Sequence, residues 1–223
     1  ILRDLGEEET QRQLRQAFMK RDFAAAQRLN EYIETVVKSK PEFTKDMRKA
    51  MREETEKYFE YVAREDRPVT EFLESNYTFL NEDLAKFYGV PDVVGKELRK
   101  VELPKGHPRG GMLTQGSALV VTSNPDRTSP VKRGLFVLAN FLGTPPPPPP
   151  ANVPALEASE TDFKDGHEPT LRDVLKVHRE NPMCASCHNR MDPIGLAFEN
   201  FNAVGAWRDS ERKQPIVAEG SLI

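Results

Sequence analysis

Both cysteines of this 223-residue chain, Cys184 and Cys187, fall in the stretch "PMCASCHNR", and His188 follows the second at once. Residues three apart share one face of a helix, so two thiols and an imidazole here would stand together on a single turn. That pattern matches the addition of two thiols to the vinyl groups of haem while the histidine binds iron. In this reading Cys184 and Cys187 are thioether anchors and His188 is the proximal ligand. Other chemistries use the same residue types. A redox-active disulfide expects a βαβ context, which "HRENPMCASCH" does not supply. Structural zinc would take Cys184, Cys187, His188 and His178 as two sulfurs and two nitrogens, but the spacing is not that of a finger and there is no second cysteine pair. Haem is favoured, with zinc as an alternative.

The sixth iron position separates two functions. A strong protein ligand there suits outer-sphere electron transfer, and an open position permits small-molecule chemistry such as peroxide reduction. His178, Met183, Met191, Met112, His107 and His167 are the candidates. Met183 and Met191 lie too close to the attached turn to reach the opposite face. His178 precedes Cys184 closely enough to stand at a haem edge, and a place at its helix end beside the terminal carbonyls is the competing role. Met112, in the remote "RGGML", has the reach. His178 or Met112 is therefore the distal candidate. Arg109, Lys132, Arg133, Arg190 and Arg208 are candidates for pairing with haem propionates, since a buried carboxylate needs a partner. Phe198 and Trp207 are assigned to the haem wall. "MDPIG" reads as a turn after the proximal helix, with Asp192 as cap and Pro193 opening the next helix.

The elements that must hold these residues are helical. Residues 7–37 lack Gly and Pro and carry Leu14, Phe18, Leu29 and Ile33 at helical spacings. After Pro41 a second long helix is predicted, with Phe43, Met47, Met51, Tyr58 and Val62 on one face, ending near Arg67-Pro68. Asn81 and Gly89 bracket a short third. "KELRKVELP" suits one short strand or an extended loop, and "TQGSALVVTS" is ambiguous. "SPVKRGLFVLANFLG" is a helix with Ser129 as cap and Pro130 at its first position. Its Leu135, Val137, Leu138, Phe141 and Leu142 predict burial on most sides. Pro145–Pro150 must be extended, because each ring fixes φ and removes a donor. Thr170 then caps "TLRDVLKVHREN", and the cysteine motif follows on a further short helix.

Composition bounds the rest. A net charge of −3 and an isoelectric point near 5.9 show no basic excess, which argues against nucleic acid as a partner. No run approaches the roughly 20 apolar residues of a membrane-spanning helix. The chain opens on Ile1 without a signal peptide and stops abruptly at Ile223, so a removed leader or an internal fragment, with more sequence to follow, is expected.

"RGGMLTQGSALVVTSNPDRTSPVKRGLFVLANFLGTPPPPPPANVP" followed by "LRDVLKVHRENPMCASCHNRMDPIGLAFENFNAVGAWRD" resembles the planctomycete-type cytochrome c proteins. These are large exported bacterial proteins assembled from serial domains of otherwise unknown function, and "FLESNYTFLNEDLAKFYGV" fits their adjoining domain. The resemblance covers roughly residues 41 to 220. It implies one covalent haem c on Cys184, Cys187 and His188, a family counterpart for His178, an extracytoplasmic location and a further C-terminal domain. The expected architecture is mainly α, with little or no sheet. Residues 1–95 would form a helical domain suited to docking or scaffolding, and residues 96–150 a Gly/Pro-rich loop, buried helix and polyproline strap. Residues 151–223 would be a cytochrome c-like haem-binding region, cut short at its C-terminus. The expected role is electron transfer within a larger complex of redox partner proteins, with a haem peroxidase or oxidase as the alternative.

Overall fold

The computed structural model describes residues 42–124, 127–148 and 169–222. The helices expected within 7–37, His167, and the end of the proline run lie outside the described residues. The described residues form two compact units, one drawn from residues 42–127 and 202–206, the other from residues 128–201 and 207–222.

In the first unit, α1 (Lys45–Arg64) begins where the Thr44 side chain accepts a hydrogen bond from Met47 N. Met47, Ala50, Met51, Glu54, Tyr58 and Val62 make its buried stripe, which contains the expected apolar face except Phe43, a residue that precedes the helix, and one carboxylate that periodicity of apolar residues passes over. β1 (Tyr77–Leu80) pairs antiparallel with β2 (Arg99–Glu102), Tyr77 opposite Glu102. β2 falls in the segment expected to be a strand or loop. Its partner β1, in "NYTFLN", was not signalled, because four residues between a loop and a helix cap show too little alternation.

α2 (Glu82–Tyr88) starts at Asn81, whose side chain accepts from Leu84 N, and ends at Gly89 with φ 75°. Its Leu84 and Ala85 join Met47, Met51 and Leu80 in one core, while Tyr58, Val62 and Tyr77 form a second with Phe72, Phe79 and Met112 against them. The ambiguous "TQGSALVVTS" becomes α3 (Gly116–Val121).

In the second unit, α4 (Pro130–Asn140) opens at the Ser129 cap as expected. α5 (Leu171–His178) carries a full capping box, Thr170 and Asp173 each accepting from the other's backbone N–H. α6 (Pro182–Leu196) starts at Asn181, whose side chain accepts from Met183 N. A small hairpin, β3 (Ser210–Glu211) with β4 (Gln214–Pro215), turns through Arg212 and Lys213, both at positive φ. The molecule is mainly α with two two-stranded sheets among the described residues.

Two expectations are corrected here. "MDPIG" is not a turn: α6 runs through it, with Pro193 inside the helix and Asp192 in its interior rather than at a cap. Proline cannot bond back to the carbonyl of Asn189, a loss of about 3 kcal/mol in a helix interior. Burial of Met191, Ile194, Gly195 and Leu196 against neighbours offsets it. The helices α4 and α6 cross at backbone contact, since a Cβ on Gly134 would lie 1.9 Å from Met191 O and one on Gly195 1.8 Å from Pro130 O. The second correction concerns α4, which is buried on one face only. Pro130, Arg133, Gly134, Val137 and Leu138 are inside, whereas Leu135 is 38% and Leu142 45% exposed.

Candidate cofactor site

The chemistry-bearing residues of α6 occupy its outer half. Buried residues on this helix begin only at Met191. Before it, Met183 is 69% exposed, and Cys184, Cys187 and His188 are half-buried. Both thiols are free. One helical turn beyond His188 stands Asp192, 0% exposed, with Oδ1 3.0 Å from His188 Nδ1. An ionised carboxylate only accepts, so Nδ1 carries the proton and donates it. In that tautomer Nε2 is the unprotonated nitrogen, the one available to a metal. Arg179, the residue that caps α5, donates from Nη1 to Asp192 Oδ2 at 3.3 Å. The carboxylate thus ties α6, which carries the motif, to the end of α5.

His178, at the last position of α5, meets His188 edge to face with ring centroids 4.6 Å apart. Two imidazoles bound on opposite sides of one metal, with bonds of about 2.0–2.1 Å, need centroids roughly 6 Å apart. In this arrangement His178 stands beside the His188 ring. Burial, then the neighbouring His188, hold its pKa below the ordinary value, with Asp192 opposing. Met112 belongs to the first unit, packed against the Tyr58 and Tyr77 cluster.

The remaining expected residues make contacts of their own within the second unit. Arg190 is exposed and donates to Thr144 Oγ1 at 3.2 Å, which holds the residue just before the prolines. Trp207 is 46% exposed, sets its ring edge on Phe201 at 5.2 Å and donates from Nε1 to Asp209. Phe198 is half-buried, and its carbonyl accepts from Arg133.

Arg133 and Arg208 both pair with the buried Glu199, at 3.2 and 2.9 Å, and Thr128 Oγ1 adds a third bond at 2.7 Å. Desolvation exceeds the pairing for both members of the inner pair, pushing Glu199 up and pulling Arg133 down to about 10. Arg109 is likewise engaged in the first unit, stacked 3.6 Å over the Tyr88 ring and donating to the carbonyls of Thr114 and Gly205. His107 Nε2 lies 3.1 Å from the Tyr88 carbonyl.

The residues fit a covalent haem. Two free thiols and an imidazole with a carboxylate on its far nitrogen lie on one open helical turn, a donor set suited to thioethers and an axial nitrogen. Among the described residues no three His, Cys, Asp or Glu side chains converge as a metal cluster.

Residues 109–211 match PSCyt3, described as a protein of unknown function (DUF1588), and residues 2–90 match PSD4, a protein of unknown function (DUF1592). Both matched domains are those of the planctomycete-type cytochrome c proteins, and together they span most of the chain. The motif and its supporting helices α4, α5 and α6 all lie inside the PSCyt3 match, while α1, β1 and α2 lie inside or at the end of the PSD4 match. No curated protein and no solved structure matches the chain. No helix among the described residues is long and apolar enough to cross a membrane.

Proposed function

We propose that this chain is an extracytoplasmic monohaem c-type cytochrome unit that passes single electrons between partner proteins of a larger redox assembly. The observation that carries the reading is the oriented proximal imidazole. His188 is held through Nδ1 by a fully buried carboxylate, beside two free, half-buried thiols on the same stretch of helix. A bound haem c would supply one-electron iron chemistry.

The chain's own residues do the positioning. Cys184 and Cys187 would hold the haem through thioethers, His188 would offer Nε2 to its iron, and Asp192 holds Nδ1 and with it the tautomer and the ring orientation. The crossing of α4 on α6 anchors the buried half of the helix, so the outer half presents its three reactive groups on a rigid support. Family membership supports export, since these cytochromes are extracytoplasmic as a class. A single redox centre needs its donor and acceptor elsewhere, which is why partner proteins are part of the proposal.

The deciding experiment is a pyridine haemochrome and a haem stain of the denatured protein, for wild type and for the Cys184→Ala/Cys187→Ala double variant expressed with a c-type maturation system. Wild type should show a c-type band that survives denaturation, and the double variant should lose it. Haem that stays attached without either thiol would overturn the assignment.

A second reading, small-molecule chemistry at an open sixth position, is supported by the contact of His178 with His188, which takes that histidine out of the trans position. Cyanide binding to the ferric protein and carbon monoxide binding to the ferrous protein, each without prior unfolding, would favour it.

A further inference from the structure

Asp192 is the one acidic side chain inside α6, and it is fully buried. Burying a carboxylate costs several kcal/mol unless hydrogen bonds and a counter-charge compensate. Its two oxygens are used differently: Oδ1 faces His188 Nδ1 at 3.0 Å and Oδ2 faces Arg179 Nη1 at 3.3 Å. A plain structural tie between α5 and α6 would need only the Arg179 contact. The oxygen aimed at the imidazole is the surplus.

A carboxylate that accepts Nδ1–H gives the ring anionic character and makes Nε2 a stronger donor. A stronger donor stabilises ferric iron more than ferrous iron, so the reduction potential falls. Arg179 opposes this, because it draws on the same carboxylate charge from the other side. The arrangement therefore has a setting element and a counterweight, both outside the coordination sphere.

We propose that Asp192 is the positioning residue of the proximal ligand and that the Asp192–Arg179 pair sets the reduction potential of the centre. The proposal rests on the haem reading above. Asp192 does not touch the iron; it acts through His188, at a place where the sequence alone suggested a helix cap.

The test uses the haem-loaded protein. Wild type is first checked by pyridine haemochrome; absence of haem c there removes the parent reading and this proposal together, before any variant is made. Midpoint potentials by spectroelectrochemistry and the iron–histidine stretching frequency by resonance Raman are then compared for wild type, Asp192→Asn and Arg179→Gln. Asp192→Asn should raise the potential by about 59 mV or more, a tenfold change in the oxidised-to-reduced ratio for one electron, and lower the stretching frequency. Arg179→Gln should move both the opposite way.

Haem retained at wild-type level with both readouts unchanged in Asp192→Asn would overturn the proposal, as would shifts of the same sign in the two variants. Should Asp192→Asn fail to fold, ¹⁵N-histidine NMR of wild type still decides. An Nδ1 proton of His188 protected from exchange and shifted by a strong hydrogen bond is expected, and a freely exchanging one overturns the idea.

Discussion

The edge-to-face contact between His178 and His188 gives a direct prediction at the scale of single side chains. With ring centroids 4.6 Å apart the two imidazoles flank no common metal, so His178→Ala should leave the coordination number and spin state of the iron as they are in wild type. Electron paramagnetic resonance of the ferric protein checks this; conversion from low spin to high spin on that substitution alone would make His178 the sixth ligand after all. Cys184, Cys187 and His188, the proposed attachment residues, stood out because they are adjacent in sequence. Asp192 was not read as their partner, since "MDPIG" carries two turn-forming residues and turn chemistry outweighed helical spacing. The available signal was the interval from His188, one helical turn, which brings two side chains to the same face whenever the helix continues.

Whether that helix continues is decided between elements. Caps made α2, α4 and α5 legible, because Asn81, Ser129 and Thr170 each put an oxygen on an otherwise orphaned N–H, while α1 was legible from the spacing of its apolar residues. The interior of α6 was illegible for the opposite reason: its glycine answers to another helix. Gly195 sits where Pro130 O comes within 1.8 Å of a would-be Cβ, and Gly134 sits against Met191 O in the same way. Both obstacles are backbone atoms, so neither can rotate aside. Gly195→Ala and Gly134→Ala should each push α4 from α6 and destabilise the protein by about 1–3 kcal/mol, the usual range for overpacking, against the small gain in helix propensity that alanine brings elsewhere. Chemical denaturation followed by circular dichroism reads this directly. A variant as stable as wild type would mean that the crossing is looser than the contacts state. The same displacement should disturb the potential of the centre, because the buried half of α6 supports the half that carries the motif.

For the molecule as a whole, charge and burial interact through pH. The formal net charge of −3 suggests an unremarkable acidic protein, yet the first unit encloses Glu54, fully buried on the apolar stripe of α1. Thr78 Oγ1 and Tyr88 Oη donate to its two oxygens, each at 2.6 Å. Tyr88 Oη in turn accepts from Gly116 N at 2.7 Å. Arg109 stacks on the Tyr88 ring, and His107 contacts the Tyr88 carbonyl. Burial dominates over these hydrogen bonds and over the attraction of Arg109, and lifts the Glu54 pKa to about 7. A carboxyl group with a raised pKa is held in its protonated form by the fold. Its contribution to stability is complete below the unfolded value near 4.5 and is lost as pH rises through about 7, on the order of 3 kcal/mol in all. Glu54→Gln keeps the shape and the acceptor for Thr78 but cannot ionise. The difference in unfolding free energy between Glu54→Gln and wild type should therefore grow in favour of the variant from pH 5 to pH 8, whatever Glu199, Asp192 and the surface groups contribute to both proteins alike. A difference that stays flat across that range would show that Glu54 is ionised throughout and that Arg109, Thr78 and Tyr88 fully compensate its burial. The buried carboxylate would then be a fixed charge of the interior, and the unit's stability would be set by its hydrogen bonds and packing alone.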